Sequence, residues 1–202
     1  KLGLDANILY LNKDSKGIVW YDQSRYGLCL FDEKTGKMTY GNDPNALYSV
    51  VVKSIVPSEK EDAVWLVGRN DHPTKIWKMK QNKMHISILD EFDLKTVVSS
   101  PGNISQLIED NYGNIWVGTS KYLFFKSIES NAFVKLPFNI SNIVDISKDN
   151  KGNIWICCPK TIYQMTYDDK PILLNYYTKE KLLFQEGSIK NVSVHNHIVW
   201  FS

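Results

Sequence analysis

The stretch DNYGNIWVGT, residues 110–119, returns 39 residues later as DNKGNIWICC, residues 149–158. In both copies an aspartate is followed three residues later by glycine and six residues later by tryptophan. Aspartate and asparagine side chains accept hydrogen bonds from their own backbone in tight turns, and glycine adopts the positive φ that other residues adopt only at a steric cost. The repeated phrase therefore predicts a turn that leads into a short strand with a tryptophan at its centre.

Five tryptophans recur at a similar interval and mark an internal repeat. They lie 45, 51, 39 and 45 residues apart, at Trp20, Trp65, Trp116, Trp155 and Trp200. A period of about 40–50 residues is typical of propeller blades built from four short strands, and also of helical repeats such as HEAT. Trp77 lies outside this register.

The residues within each period favour strands over helices. Runs of four to eight residues rich in β-branched and aromatic side chains alternate with polar turns, and no long window has helical periodicity with caps. The segment Thr178–Ser188 is the one place where a helical turn is expected. We predict an all-β fold, a β-propeller with four four-stranded blades and the first two strands of a fifth. The approximate blade bounds are 5–42, 46–92, 102–138, 142–178 and 187–202. Because closed propellers usually have 4–8 blades, we expect an incomplete propeller taken from a larger protein.

We predict that the repeated tryptophan packs in the core and does not bind a ligand. In a strand, Ile115 and Val117 share one face, while Trp116 and Gly118 share the other. Neighbouring blades cover both faces of a propeller blade, so a large ring on one blade can fill space beside a small residue on the next.

The composition is that of an ordinary globular protein, with 43% apolar residues and a net charge of +2. This charge is too small to indicate nucleic-acid binding, and no stretch approaches the roughly 18 apolar residues of a membrane span. Cys29, Cys157 and Cys158 are interpreted as small packing residues. Adjacent residues in a strand point to opposite faces, so Cys157 and Cys158 are poorly placed to form a disulfide with each other.

The stretch IxxLIEDxxGNIWVGTxxxL, residues 104–123, resembles the two-component regulator propeller repeat. At the level of blades the resemblance covers the whole chain, and it is strongest at Ile104–Phe138 and Asp145–Met165. The second blade lacks the turn glycine. The fourth blade has Cys157 and Cys158 where the family has Gly-Thr.

This resemblance implies a sensor segment of a hybrid two-component histidine kinase, periplasmic and part of an inner-membrane protein. Such proteins are similar in carrying two propellers, a β-sandwich, one membrane helix, a kinase and a DNA-binding response regulator. They typically respond to oligosaccharides released from glycans. The implied partners are an oligosaccharide, the adjoining propeller and β-sandwich domains, and a second copy in a homodimer of the parent. This segment itself is not expected to contact nucleic acid or to act as an enzyme.

The loops between the second and third strands of the blades carry a cation four or five residues after the tryptophan. In a propeller these loops share a face with the loops that connect successive blades. Arginine suits bidentate pairing with carboxylate or sulfate, so the cations favour an acidic glycan or an acidic surface of a partner domain. The alternative is that they are solvated loop residues. The predicted ligand-binding residues are Arg25, Tyr26, Arg69, His72, Lys121, Tyr122 and Lys160.

The sequence is also compatible with two other functions. A lyase similar to the streptogramin-inactivating propellers needs histidines that converge near the axis, but His72 and His85 belong to the second blade and His195 and His197 to the fifth. A protein-interaction scaffold needs no small ligand at all, and fold alone does not separate these functions.

No cofactor or metal site is predicted. The acidic residues Asp90, Glu91 and Asp93 are interpreted as part of a solvated loop between blades.

Overall fold

The computed structural model describes residues 8–23, 27–40, 52–82, 85–182, 187–195 and 198–202. The chain divides into two compact units, Lys1–Asp93 and Leu94–Ser202. Each unit is built from separate antiparallel sheets. Within the described ranges, no helix is both long and apolar enough to cross a membrane.

The first unit contains two four-stranded sheets in which each strand pairs with the next one along the chain. The strands of the first sheet are β1 (Ile8–Lys13), β2 (Ile18–Gln23), β3 (Gly27–Asp32) and β4 (Lys37–Tyr40). The strands of the second sheet are β5 (Val52–Pro57), β6 (Val64–Gly68), β7 (Lys75–Asn82) and β8 (His85–Asp93).

The second unit opens with a short 3₁₀ helix, Leu94–Thr96, and continues with three sheets. The first comprises β9 (Ile104–Glu109), β10 (Ile115–Thr119), β11 (Leu123–Lys126) and β12 (Val134–Lys135). The second comprises β13 (Asp145–Lys148), β14 (Ile154–Cys158), β15 (Thr161–Asp168) and β16 (Lys170–Thr178). The last comprises β17 (Val192–His195) and β18 (Ile198–Phe201).

The predicted fold class is confirmed. The described residues form four sheets of four sequential antiparallel strands and a fifth sheet of two strands, the pattern of propeller blades. The 3₁₀ helix was not predicted, and it forms where the fully buried Leu94 accepts hydrogen bonds from the backbone of Val97 and Val98. In the segment expected to form a helical turn, the backbone N–H of Leu182 donates to the carbonyl of Thr178, while residues 183–186 lie outside the described ranges.

The tryptophans pack as predicted in the first four sheets. Trp20, Trp65, Trp116 and Trp155 are at most 8% exposed, whereas Trp200 on β18 is 63% exposed. Trp77, which lies outside the repeat, is also buried and joins the core of the first unit with residues of β2, β3, β5 and β6.

The two adjacent cysteines face opposite sides of β14. Cys158 packs in the cluster that contains Trp116, while Cys157 packs in a different cluster with Trp155 and Val192. All three cysteines are free and buried, as expected for packing residues. Burial raises the pKa of Cys29 to about 11, and that of Cys157 and Cys158 to about 12.

Candidate functional site

In three blades the turn aspartate accepts hydrogen bonds from two backbone N–H groups and from the tryptophan indole, and in two of them also from an asparagine side chain. Asp110 Oδ1 accepts from the backbone N–H groups of Tyr112 and Asn114, both at 2.9 Å. Asp110 Oδ2 accepts from Asn114 Nδ2 at 3.0 Å and from the indole Nε1 of Trp116 at 2.8 Å. Gly113 supports this turn with a φ of +87°.

The other two copies repeat this geometry. Asp14 Oδ2 accepts from Trp20 Nε1 at 2.8 Å, and Asp149 Oδ2 accepts from Trp155 Nε1 at 3.0 Å. Burial pushes the pKa of Asp149 upward, but hydrogen bonds from Trp155, Asn153 and two backbone N–H groups outweigh it, so the pKa lies below its usual value. In the second blade Ser58 replaces the aspartate, and its Oγ accepts from the backbone N–H groups of Lys60 and Glu61. The turn residues of the repeat are therefore structural.

The predicted ligand-binding cations lie on the loops at the other end of the tryptophan strands. Arg25 and Tyr26 fall outside the described residues. Arg69 and His72 lie in the first unit, on the loop between β6 and β7. Lys121 and Tyr122 lie in the second unit between β10 and β11, and Lys160 lies there between β14 and β15.

Within the second unit, each of these loops is hydrogen-bonded to the segment that leads into the next sheet. The backbone N–H of Asn142 donates to the carbonyl of Ser120 at 2.9 Å, and the backbone N–H of Ile189 donates to the carbonyl of Pro159 at 3.1 Å. The two classes of loop therefore meet at one end of these sheets, as expected.

The β10–β11 loop is held by Thr119, which is fully buried. Its hydroxyl donates to the carbonyl of Pro101 at 2.7 Å and accepts from the backbone N–H groups of Lys121 and Tyr122. Lys121 is exposed, and its ammonium donates to the Ser100 hydroxyl at 2.6 Å. The threonine thus fixes the backbone while the lysine head remains at the surface.

Tyr122 is only partly available as a surface for stacking. The Lys135 ammonium lies 4.9 Å from the centroid of its ring, and the Phe124 ring packs edge-on at 6.2 Å. His72 likewise packs edge-on against Trp77, with ring centroids 6.0 Å apart. These aromatic residues therefore flank the cations as packed side chains.

The described loop cations form no ion pair, whereas some lysines elsewhere in the molecule do. Five lysines form ion pairs with carboxylates, namely Lys13, Lys16, Lys75, Lys78 and Lys80. Among the described residues, no carboxylate lies within 4.0 Å of the charged nitrogens of Arg69, Lys121 or Lys160. Lys121 and Lys160 are exposed, so an external anion can reach their ammonium groups, whereas Nε of Arg69 is buried.

The interpretation of Asp90, Glu91 and Asp93 as a loop between blades is wrong. All three belong to the outer strand β8, because the register with β7 continues through Lys75 and Asp93. Glu91 accepts from the Trp77 indole at 3.0 Å and pairs with Lys75. The hydrogen bond from Lys75 is the main cause that lowers the pKa of Glu91, against the opposing effect of burial.

Strand β2 ends with two buried polar residues that are not among the predicted site residues. They are Asp22 and Gln23, which are 2% and 4% exposed. The signal in the sequence was the aspartate two residues after the tryptophan, at the position that Gly118 and Cys157 occupy in other blades.

The described histidines belong to no metal-binding cluster. His195 is exposed at the end of β17, His197 lies outside the described ranges, and His72 is on the β6–β7 loop. In the part of the chain that the structure describes, no three His, Cys, Asp or Glu side chains are placed to hold a metal ion.

A family model for the two component regulator propeller matches residues 99–121, which contain the turn and tryptophan strand of the third sheet. No curated protein matches the sequence.

Several solved structures share the fold. The extracellular domain of a hybrid two component system from B. thetaiotaomicron is 18% identical with a TM-score of 0.71, and the match covers 97% of this chain and 26% of that one. PorZ, a surface component of the type-IX secretion system of Porphyromonas gingivalis, is 12% identical with a TM-score of 0.73, over 96% of this chain and 30% of that one. An inactive virginiamycin B lyase from Staphylococcus aureus is 12% identical with a TM-score of 0.68, over 100% of this chain and 64% of that one. At these identities the likeness shows the β-propeller fold, and this chain spans about a quarter of the length of the first of these proteins.

Proposed function

We propose that this chain, which carries a two component regulator propeller repeat at residues 99–121, is the ligand-sensing segment of a two-component signalling receptor. The repeat match supports the regulatory class. The similar extracellular domain from B. thetaiotaomicron supports a place outside the cytoplasm, and we propose the periplasm. The parent is then an inner-membrane histidine kinase that works as a homodimer, in which this segment adjoins a further propeller and a β-sandwich.

The proposed ligand is an acidic oligosaccharide bound by the loop cations of the second unit. The observation that carries this proposal is that Lys121 and Lys160 are exposed on loops at one end of the sheets of this unit and form no ion pair with a carboxylate of the described residues. Hydrogen bonds between a charged donor and a charged acceptor are about twice as strong as neutral ones, so these two lysines can select an anionic ligand over a neutral one.

The test is calorimetric titration of the chain with an oligogalacturonate, a chondroitin sulfate oligosaccharide and a neutral malto-oligosaccharide. We expect one of the acidic ligands to bind and the neutral one not to bind. The double variant Lys121→Gln, Lys160→Gln should weaken binding at least about tenfold, or about 1.4 kcal/mol.

The matched control is Lys13→Gln, Lys16→Gln, which removes the same charge from lysines that are paired with Glu33 and Asp62. Equal effects of the two double variants would show that net charge alone is sensed, and would contradict binding at the loops. Binding of a protein domain and of no oligosaccharide would support the scaffold function instead.

A further inference from the structure

Lys135 is an exposed cation that the spacing from the tryptophans does not mark, and it lies beside the loop that carries Lys121. It is the second residue of β12 and the register partner of Phe124 on β11. Its ammonium lies 4.9 Å from the centroid of the Tyr122 ring, and Tyr122 directly follows Lys121 in the chain. The sheet β9–β12 therefore carries two exposed lysines near the β10–β11 loop.

The carboxylates of this sheet lie at the opposite end from these two lysines. Glu109, Asp110 and Glu129 belong to the end of β9, the turn that follows it and the loop between β11 and β12. Neither Lys121 nor Lys135 forms an ion pair with a carboxylate of the described residues. A surface that carries one sign of charge raises the local concentration of oppositely charged ligands.

The carboxylate that begins the next sheet does not neutralise the two lysines. Asp145 Oδ2 accepts from the backbone N–H of Val192 at 3.0 Å. Its Oδ1 accepts from the backbone N–H of Ile146 at 2.9 Å and from Gln106 Nε2 at 3.3 Å. Asp145 is thus held by donors of the fold, and the two ammonium groups can receive an external anion.

The backbone that carries Lys121 is fixed by contacts on both sides. Buried Thr119 accepts from its N–H group, and Gly102 of the preceding loop approaches it closely. A Cβ at Gly102 would lie 2.5 Å from Oγ of Ser120 and 3.1 Å from Cγ of Lys121. The Lys121 ammonium donates to the exposed hydroxyl of Ser100 at 2.6 Å, and this hydroxyl can still donate its own proton to an anion.

The Tyr122 ring sets the position of the second ammonium group. The fully buried Phe124 meets this ring edge-on, with ring planes 85° apart and centroids separated by 6.2 Å. The electron-rich face of an aromatic ring attracts a cation, so Tyr122 keeps the Lys135 ammonium near the β10–β11 loop. An ammonium group held over a ring still has N–H donors for an anion.

We propose that Lys135 is a ligand-binding residue, and that Lys121, Lys135 and the Ser100 hydroxyl bind one acidic group of the oligosaccharide. Tyr122 is the residue that positions Lys135. The acidic group is a carboxylate or a sulfate, since both accept hydrogen bonds from ammonium and hydroxyl donors. Lysine side chains are flexible, so the two ammonium groups can converge on one such group. This proposal rests on the proposed function and goes further, because it adds a residue and assigns an acidic group of the ligand to the sheet β9–β12.

The test is calorimetric titration of the chain, at about 0.15 M salt, with the oligogalacturonate and the chondroitin sulfate oligosaccharide. Lys135→Gln should weaken binding at least about threefold, a loss in the range expected for an exposed ion pair. Lys151→Gln is the matched control, because it removes the same charge from an exposed lysine in the Asp149 turn, at the opposite end of the same unit. It should change the affinity by less than about 1.5-fold, since salt screens charges beyond about 8 Å. Equal losses in the two variants would overturn the assignment of Lys135.

The positioning role of Tyr122 has its own test. Tyr122→Leu removes the ring and should weaken binding as much as Lys135→Gln does, whereas Tyr122→Phe keeps the ring and should bind like the unaltered chain. In the Tyr122→Leu background, Lys135→Gln should have little further effect. Strictly additive losses would show that the ring does not act through Lys135. Thermal melting shows whether each variant is folded, and if Tyr122→Leu is not, the comparison of Lys135→Gln with Lys151→Gln decides the proposal.

The outcomes separate this site from the proposed function. If no acidic oligosaccharide binds the unaltered chain, both proposals fall. If one binds and Lys121→Gln weakens it while Lys135→Gln does not, the proposed function stands and the assignment of Lys135 is wrong. A loss with the oligogalacturonate in Lys135→Gln supports a carboxylate at this site, and a loss confined to the chondroitin sulfate oligosaccharide supports a sulfate.

Discussion

The carboxylate of Asp110 receives the indole N–H of Trp116 at 2.8 Å, and the same bond joins Asp14 to Trp20 and Asp149 to Trp155. The spacing of six residues between aspartate and tryptophan therefore has a physical cause. One carboxylate closes the turn with its first oxygen and holds the buried ring with its second. The repeated phrase describes a local hydrogen-bond network around a core side chain.

Replacing Asp110 by alanine is expected to lower the free energy of unfolding by about 3 kcal/mol, because buried donors on Asn114 and Trp116 lose their acceptor. Chemical denaturation measures this change. Asp168→Ala, at an exposed position of β15, serves as the control and should stay within about 0.5 kcal/mol. A loss at Asp110 no larger than at Asp168 would show that the network contributes little.

Gly118 is expected to tolerate no side chain. A Cβ at this position would overlap Cγ2 of Ile143 and lie 3.0 Å from Cδ1 of Ile146. Gly118→Ala should therefore destabilise the chain by about 1–3 kcal/mol through overpacking. In the Gly118→Ala background, Ile143→Ala should cost less than it does alone, because it makes room for the new methyl group. Strictly additive effects would exclude this clash.

The three cysteines are expected to be unreactive in the folded chain. The thiolate is the nucleophile, and burial raises the pKa of Cys29 to about 11 and of the other two to about 12. A disulfide reagent at pH 8 should modify three thiols in denaturant and react only very slowly without it. Rapid modification of any thiol in the native chain would contradict the described burial.

The raised pKa values of the cysteines also determine how the free energy of unfolding changes at alkaline pH. Above the ordinary thiol pKa of 9.0 the unfolded cysteines lose protons while the folded ones keep them. The unfolded state then binds fewer protons, so the free energy of unfolding should fall as the pH rises from 9 towards 11. Replacing Cys157 by alanine should reduce this slope.

Trp200 is expected to supply most of the tryptophan fluorescence that a quencher in solution can reach. It is 63% exposed, and the five other tryptophans are buried. Trp200→Phe should therefore remove most of the emission that acrylamide quenches and shift the remaining spectrum to the blue. If quenching is unchanged in this variant, β18 is covered in solution.

The local sequence pattern was sufficient to predict the strands and their pairing into sheets. Each blade follows from strands that pair with their sequence neighbours, and the interval between tryptophans shows where each new blade begins. Opposite orientations of Cys157 and Cys158 follow from the same period-two geometry of a strand, and the structure confirms them.

Contacts between sheets could not be predicted from the local sequence pattern. The hydrogen bond that Asp22 accepts from Val52, 30 residues along the chain, could not be predicted from the local sequence. The two-residue strand β12 lies between the buried side chains of Phe133 and Leu136. The lack of an ion pair at the described loop cations also appears only in the folded chain.

Calorimetric titration of the unaltered chain with acidic and neutral oligosaccharides, at low and at high salt, tests the central claim most directly. We predict that at least one acidic oligosaccharide binds, that the neutral one does not, and that salt weakens the binding because exposed cations are screened within about 10 Å at 0.1 M ionic strength. Equal binding of neutral and acidic ligands, or no binding of any acidic oligosaccharide, would contradict it.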